Sequence, residues 1–236
     1  MKLLIANPTY TPGYASGAEQ TVALAKHPDW QVQFYSSAMS LLTLNFNNAW
    51  CEALNNHVDY FLMIHADIRP VDPYWLDILF AEMAKHQADV LSVIIPIKHQ
   101  DGVTSTAIDN DPWRPTRCTM TGIWETKPET WTHPKLLFNT GMMLVDFRKP
   151  WVERVCFTVN DRILKTAAGK WIAEVESEDW NFSRQCRALG ASCYVTRKVW
   201  VDHYGVGAYP NYMKWGERHD GENKLKQMNG LSLSAT

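Results

Sequence analysis

The sequence YFLMIHADIRP at residues 60–70 decides the fold, because an apolar run leads directly into a His and an Asp separated by one residue. The run is too short for a membrane span and is typical of a strand buried on both faces of a helix-covered sheet. If the backbone stays extended, His65 and Asp67 leave the chain on the same side. Open α/β sheets bind ligands at this end of a central strand. Taken alone, such a polar pair more often marks only the return of the chain to water.

The first part of the chain alternates predicted strands with predicted helices. The strands are expected at residues 3–6, 31–35, 60–64 and 89–96, and the helices at 16–26, 40–55 and 72–83. Short links between such elements predict a mostly parallel central sheet with helices on both faces. A chain of 236 residues is long enough for one α/β domain with a sizeable core.

The pattern is less regular further along. Residues 98–135 lack clear periodicity and are rich in Pro, Thr, Asp and Trp, which predicts a functional insertion or a hairpin that cannot be recognised from the pattern. A strand is expected over 136–147, a helix over 177–189 and a last strand over 193–196. Residues 204–236 are polar and Gly-containing, and we predict a mobile tail or lid there.

Composition excludes several classes of protein. The formal net charge is −2, so no strong field attracts nucleic acid or anionic membranes. The five Cys are odd in number and form no CxxC pair, which argues against a disulfide framework or a zinc knuckle and indicates a reducing compartment. No segment approaches the roughly 20 apolar residues of a spanning helix. We therefore expect a cytoplasmic protein. Eleven Trp are more than such a core needs, and they suit flat binding platforms.

Four short motifs follow one another in a specific order. HAD at 65–67 ends a strand, NTG at 139–141 interrupts a strand, ED at 178–179 opens a helix, and DHYG occupies 202–205. Together they resemble the glycosyltransferases of the GT-A fold, especially the inverting family 2 type and its small phage-like relatives, over roughly residues 1–205. The resemblance implies a single Rossmann-like GT-A domain that extends over the whole chain.

The resemblance also implies a metal site for Mn²⁺ or Mg²⁺. Asp67 matches the last acid of the family's DxD motif, and His203 matches its C-terminal metal histidine. His65 replaces the first acid; it can ligate a metal but brings no charge, which lowers the expected metal affinity. A leaving diphosphate needs a divalent cation, or Lys and Arg, to neutralise it. Mn²⁺ accepts imidazole as well as oxygen ligands.

The helix start at residues 178–179 is the predicted catalytic position. Asp179 matches the general base of inverting relatives, with Glu178 beside it. From the residues alone, Ser177, Glu178 and Asp179 are as well explained as helix-capping groups.

The remaining predicted site residues fall into two groups. The nucleotide-sugar-binding residues are Thr9, Tyr10, Asn48, His65, Ala66, Asp67, Asn139, Thr140 and Gly141. The acceptor-binding residues are Trp180, Trp113 and Trp124, for which core packing or loop anchoring is the alternative explanation.

The resulting expectation is a metal-dependent glycosyltransferase. It would transfer a sugar from a nucleoside-diphosphate sugar, preferably a UDP-sugar, to a hydroxyl of a glycan, a protein or a hydroxymethylated DNA base, with inversion. One alternative is a sugar nucleotidyltransferase, although residues 7–13 carry no Gly cluster and no Lys or Arg for a phosphate cradle. Another is a catalytically inactive module that binds glycan or protein, which the replacement at His65 keeps open.

Overall fold

The computed structural model of the protein describes residues 1–9, 30–205 and 208–215. Its strands are β1 (Lys2–Thr9), β2 (Gln31–Ala38), β3 (Tyr60–Ile64), β4 (Ile68–Pro70), β5 (Val90–Val93), β6 (Val103–Ile108), β7 (Thr116–Thr119), β8 (Thr130–Trp131), β9 (Leu136–Leu137), β10 (Met142–Asp146), β11 (Asn160–Lys165), β12 (Trp171–Glu176), β13 (Cys193–Thr196), β14 (Val201–Tyr204) and β15 (Ala208–Pro210). Its helices are α1 (Leu42–Asn55), α2 (Trp75–His86), α3 (Met120–Thr126) and α4 (Glu178–Ala188), with a 3₁₀ turn at Pro150–Arg154.

The central sheet has seven strands in the order β2-β1-β3-β10-β5-β13-β8. β1, β2, β3, β5 and β13 run in one direction, whereas β10 is antiparallel to both β3 and β5, and β8 is antiparallel to β13. The prediction of a mostly parallel sheet holds for five of the seven strands, and the sheet is mixed because β10 and β8 run the other way. The alternation of strands and helices correctly predicts the common direction of the first strands, but not that a later strand enters between two of them.

Helices cover both faces of this sheet, as predicted. On one face, α1 and α4 bury a cluster centred on Trp50, whose ring contacts Phe61, Phe147 and Phe182. On the other face, α2 packs Trp75 and other apolar residues against the sheet. Because β3 and β10 have apolar side chains toward both layers, they are buried along almost their whole length.

The predicted irregular insertion at 98–135 is ordered. It contains β6 and β7, which form a second sheet with β9 in the order β7-β6-β9, and the short helix α3. Thr119 caps α3 by accepting a hydrogen bond from the Gly122 amide at 3.1 Å. β6 has the sequence VTSTAI, and its Thr104 and Thr106 are completely buried. A strand with so many hydroxyls is easily interpreted as a loop in the sequence.

The described part of the predicted tail over 204–236 contains the strand β15, and the mobility of the tail stays a prediction. β14 pairs with β4 on one side and with β15 on the other, so the chain continues as a three-stranded sheet. Asn211 then fastens this sheet to the core: its amide donates to the carbonyls of Ile94 and Val199, each at 2.9 Å, and its Oδ1 accepts from the Val201 amide at 2.8 Å. Residues 216–236 and the predicted helix at 16–26 lie outside the described residues.

A further hairpin, β11–β12, has no counterpart in the predicted elements. It is antiparallel over its whole length, and Glu174 on β12 pairs with Arg162 on β11 and joins the hairpin to the insertion through an ion pair with Arg114. In the described residues, no helix combines the length and apolar character needed to cross a membrane.

Replacing Asn211 should destabilise the protein. Asn211→Ala leaves two carbonyls and one amide without their buried partners, at a cost of about 3 kcal/mol in the free energy of unfolding. Asn56→Ala, which removes an exposed hydrogen bond to Glu52, is the matched control with an expected loss below about 0.5 kcal/mol. Urea unfolding of the three proteins measures both values. Equal stability of the two variants would contradict the anchoring role of Asn211.

Candidate active site

The chain turns sharply after β3 instead of remaining extended. The Ile68 amide donates to the His65 carbonyl at 3.0 Å, which closes a turn over residues 65–68. The argument from extended backbone therefore does not hold. Asp67 and His203 nevertheless lie close together, because β14 pairs with β4. Asp67 Oδ2 lies 3.5 Å from His203 Nε2 on β14.

The Asp67 carboxylate also contacts a lysine that the motifs do not indicate. Lys98 Nζ donates to Asp67 Oδ2 at 2.5 Å. Burial acts to raise the pKa of Asp67, but the neighbouring His203, His65 and Lys98 outweigh it and hold that pKa below its usual range. Burial lowers the pKa of His65 to about 4, so this imidazole is neutral near pH 7. Asp67 is thus stabilised as an anion.

The orientation of His203 is fixed by a backbone carbonyl. Its Nδ1 lies 2.7 Å from the Pro96 carbonyl oxygen, which can only accept, so Nδ1 carries the hydrogen. Nε2 then points to Asp67. A histidine held in this way by a carbonyl is typical of metal ligands, because the second nitrogen is presented in a defined direction.

Three buried polar atoms near the ends of β1 and β3 have no hydrogen-bond partner within the described part of the chain. They are Asn7 Oδ1, His65 Nε2 and Asp67 Oδ1. The other end of the Asn7 amide is used, since its Nδ2 donates to the Ile64 carbonyl at 2.8 Å. Leaving buried polar atoms unpaired costs free energy. Their concentration here indicates a ligand, and Asn7, a polar residue in an otherwise apolar strand end, is a site candidate that the motifs miss.

The side chains near Asp67 offer few ligands for a divalent cation. In residues 1–9, 30–205 and 208–215, no group of three or more His, Cys, Asp or Glu side chains is arranged to hold a metal ion. The 3.5 Å between Asp67 Oδ2 and His203 Nε2 nevertheless suits two ligands of one cation, whose bonds of about 2.1 Å place them roughly 3.0 to 3.5 Å apart. Cations in phosphate-binding sites take few protein ligands and complete their sphere with phosphate oxygens and water. The residues therefore fit Mn²⁺ or Mg²⁺ shared with a diphosphate, and not a cage made of protein alone.

Asp179 occupies a partly buried position at the start of α4. Its Oδ1 accepts hydrogen bonds from the Thr140 amide at 3.1 Å and from the Thr140 hydroxyl at 2.5 Å. Burial, followed by the charge of neighbouring Glu178, raises the pKa of Asp179 to about 7 despite these bonds and Arg117. Burial also raises the pKa of Glu178. A carboxyl that can take up and release a proton near neutral pH suits a general base.

The turn at 139–141 connects Asp179 with the HAD segment. The Gly141 carbonyl accepts from the His65 amide at 2.8 Å, while the preceding Thr140 amide bonds Asp179. A Cβ on residue 141 would lie 3.0 Å from Ile95 Cδ1, so a larger residue here would require the Ile95 side chain to shift. The turn therefore brings the predicted base and the predicted metal-binding segment to two sides of one short piece of backbone.

Asn139 is placed differently from its prediction. Its side chain is 2 % exposed, donates to the Val93 carbonyl at 2.7 Å and accepts from the Gly141 amide at 3.0 Å. Both ends of the amide are thus used to hold the turn. Asn139 shapes the site but does not offer its side chain to a nucleotide sugar, which corrects the predicted binding role.

The predicted acceptor residues lie in structural contacts. Trp180 is 7 % exposed, donates to the Ser105 carbonyl at 3.2 Å and is covered by the Arg117 guanidinium 4.5 Å from its ring centroid, so an open stacking platform is wrong for this residue. Trp113 and Trp124 are half-buried, and each ring faces an arginine, Arg162 and Arg197 respectively. Acceptor binding by Trp113 and Trp124 stays a prediction.

Only some of the other residues predicted to bind the nucleotide sugar lie beside the HAD turn. Thr9 is buried at the end of β1, and the Ala66 amide donates to the neighbouring Pro8 carbonyl at 3.4 Å, so these residues lie beside the HAD turn. Asn48 on α1 contacts Met39 Sδ at 3.5 Å. Tyr10 lies outside the described residues. Nucleotide binding by Thr9, Ala66 and Asn48 stays a prediction.

Comparison with known proteins identifies a fold but no family. No protein-family model matches the chain, and no curated protein matches it in sequence. The crystal structure of A197 from STIV is similar, with a TM-score of 0.55 and 15 % identity, over 95 % of this chain and 98 % of that one. At this identity the likeness shows the shared fold alone.

Two enzymes that use nucleotide sugars or their precursors resemble the chain more weakly. The CMP:2-keto-3-deoxy-manno-octonic acid synthetase complexed with CTP has a TM-score of 0.36 and 12 % identity, over 62 % of this chain and 74 % of its own. A point mutant of the UDP-glucose pyrophosphorylase from Leishmania major, in complex with UDP-glucose, has a TM-score of 0.35 and 12 % identity, over 83 % of this chain and 51 % of its own. These likenesses are too weak to carry a conclusion about this chain.

The raised pKa of Asp179 predicts a pH-dependent gain in stability for Asp179→Asn. A carboxyl whose pKa is higher in the folded state destabilises the fold increasingly from its unfolded pKa near 4 up to about pH 7. The Asn variant, which does not titrate, should be more stable at pH 8 by on the order of 2 kcal/mol and should show no gain at pH 4. Urea unfolding at the two pH values measures the difference.

Asp109→Asn is the control of opposite sign. The hydrogen bond from Arg184, with a second from Arg187, lowers the pKa of Asp109, so its stabilisation is present above its unfolded pKa and is lost in acid. This variant should be less stable than the wild type at pH 8 and at pH 4, because the difference shrinks only as the pH falls below the unfolded pKa of about 4. A loss of stability in Asp179→Asn at pH 8 would contradict the raised pKa.

Proposed function

We propose that the protein transfers a sugar from a nucleoside-diphosphate sugar to a hydroxyl group, as a glycosyltransferase of the GT-A type. The observation that supports this most strongly is the environment of Asp179. This carboxyl is partly buried, has a pKa near neutral, and is connected through Thr140 and Gly141 to the turn that carries His65 and Asp67. When a hydroxyl attacks a sugar that carries a diphosphate, one group must accept the proton of the hydroxyl and another must help to neutralise the diphosphate, for example by binding a metal ion. Asp179 and Asp67 suit these two tasks.

The general base distinguishes this proposal from a sugar nucleotidyltransferase of the pyrophosphorylase type. In that reaction a sugar phosphate attacks a nucleoside triphosphate. A phosphate monoester has a second pKa of about 6 and is already ionised near pH 7, so its attack needs no base. An alcohol must lose its proton as it attacks. A carboxyl kept at a pKa of about 7 by burial therefore favours a hydroxyl acceptor.

The stability that the fold loses by forming this site argues against an inactive binding module. Holding Asp179 at a raised pKa and leaving Asn7, His65 and Asp67 with unpaired buried atoms lowers the stability of the fold. Perturbed carboxyls and unpaired polar atoms that gather at one end of a sheet are typical of catalytic sites. A surface that only binds glycan or protein has no need of them.

In the proposed reaction each side chain has a defined task. Asp179 accepts the proton of the acceptor hydroxyl, and the Thr140 hydroxyl and amide keep its carboxylate in position. Asp67 and His203, with His65 near them, would hold Mn²⁺ or Mg²⁺, and the bound cation would supply the positive charge that the leaving diphosphate requires. A single displacement assisted by Asp179 inverts the anomeric centre. The acceptor class, whether glycan, protein or hydroxymethylated DNA base, remains open, and a net charge of −2 gives no general preference for DNA.

Nucleotide binding provides the first test. We expect one of UDP, GDP and CDP, with UDP favoured, to raise the melting temperature in the presence of Mn²⁺. A ligand at a hundredfold its dissociation constant adds about 2.7 kcal/mol. Asp67→Asn should remove this shift, whereas Asp101→Asn, which alters an exposed carboxylate near Lys98, should keep it. The absence of a shift with all three nucleotides would contradict a nucleotide-sugar enzyme.

Asp179→Asn tests the catalytic step separately. With the sugar donor identified from the nucleotide screen, its hydrolysis or transfer should fall by a factor of about 10² to 10⁴, because the base is lost. Nucleotide affinity should remain unchanged, since Asp179 is not assigned to the diphosphate. Release of nucleoside diphosphate and calorimetric binding measure the two quantities. Full activity in this variant would exclude Asp179 as the base.

A further inference from the structure

Lys98 is built into the wall of the candidate site. Its Nζ reaches Asp67 Oδ2, and its stem lies against Gly205, where an added Cβ would come within 2.8 Å of Lys98 Cδ. Pro96, two residues earlier, accepts the hydrogen bond from His203. The segments 96–98 and 203–205 therefore pack together and aim Lys98 and His203 at the same carboxylate.

Lys98 and a metal ion would compete for one oxygen atom. Asp67 Oδ2 receives the lysine ammonium at 2.5 Å and also faces His203 Nε2 at 3.5 Å. The other oxygen, Oδ1, is buried and has no partner in the described residues. A divalent cation that binds between Asp67 Oδ2 and His203 Nε2 would lie within a few ångströms of the ammonium, where the two positive charges repel.

The lysine is able to leave this position. The Lys98 and Asp67 side chains are 36 % and 28 % exposed, and ion pairs that are partly open to water contribute little stability. Lysine carries its charge on a flexible four-carbon stem. The chain thus holds Lys98 near Asp67 without locking it there.

From this geometry we infer that Lys98 is an exchangeable counter-ion. It neutralises Asp67 while the donor is absent and moves to the diphosphate when a divalent cation and the diphosphate bind together. This inference rests on the proposed function, because it concerns the donor diphosphate of that reaction. The cation then binds weakly on its own, and Lys98 adds a second positive charge to the leaving group once the cation has taken its place on Asp67.

Lys98→Met tests the exchange, since it keeps the length of the stem and removes the charge. Calorimetric titration of Mn²⁺ alone should show an affinity about fivefold higher for this variant than for the wild type, because the competing cation is gone. With Mn²⁺ present, inorganic pyrophosphate should bind about fivefold more weakly to the variant, because its second cation is lost. Lys149→Met, which removes an analogous pair with Asp89 at 2.8 Å, should change neither value.

Different results would overturn the exchange of Lys98 and the proposed function. Unchanged or weaker Mn²⁺ affinity in Lys98→Met, or Mn²⁺ binding undetectable in both proteins, overturns the exchange, whatever the nucleotides do. Stronger pyrophosphate binding by the variant overturns it as well. The proposed function fails instead if no nucleoside diphosphate binds the wild type with Mn²⁺, a result that does not depend on Lys98.

Discussion

The turn at residues 139–141 is the constraint on which both the sheet and the site depend. β10 must enter antiparallel between β3 and β5, and the turn before it has to satisfy backbone groups that regular pairing would otherwise use. The Asn139 side chain does so by bonding the Val93 carbonyl and the Gly141 amide, and the Ser92 hydroxyl donates to the Asn139 carbonyl at 2.7 Å. With those groups occupied, the Thr140 amide is directed to Asp179 and the Gly141 carbonyl to His65. The same turn therefore both leads β10 into the central sheet and positions the residues of the candidate site.

Two carboxyls in this molecule have opposite environments, and that difference assigns their roles. Asp67 Oδ2 lies beside Lys98 and His203, so Asp67 is held as an anion. Asp179 is partly buried beside another acid, so its charge is disfavoured and it gains affinity for a proton. Pairs of titratable groups whose surroundings separate their pKa values are a recurring feature of acid and base catalysis. One fold thus presents a carboxylate held as an anion in the turn after β3 and a carboxyl with a raised pKa at the start of α4.

The sequence is informative where the cause of structure is local. The apolar run of residues 60–64 predicts β3 correctly, and the helix predicted over residues 72–83 is present as α2. Features that depend on distant pairing are missed. Nothing local in residues 142–146 states that β10 will separate two parallel strands, and Lys98 meets Asp67 across 31 positions of chain. The motifs correctly bring His203 to Asp67, but by strand pairing between β4 and β14 and not by extended backbone after β3.

The insertion of residues 98–135 is joined by ion pairs to α4, the helix that carries Asp179. Asp109, which follows β6, pairs with Arg184 and Arg187 on α4, and Arg184 also pairs with Glu176 just before the helix. These groups are only slightly exposed, so screening by water and salt weakens them less than a surface pair. Arg117 from the same insertion covers Trp180, the neighbour of Asp179. The insertion is therefore held to α4, the helix that carries Asp179, by ion pairs along the helix and by the contact of Arg117 with Trp180 near its start.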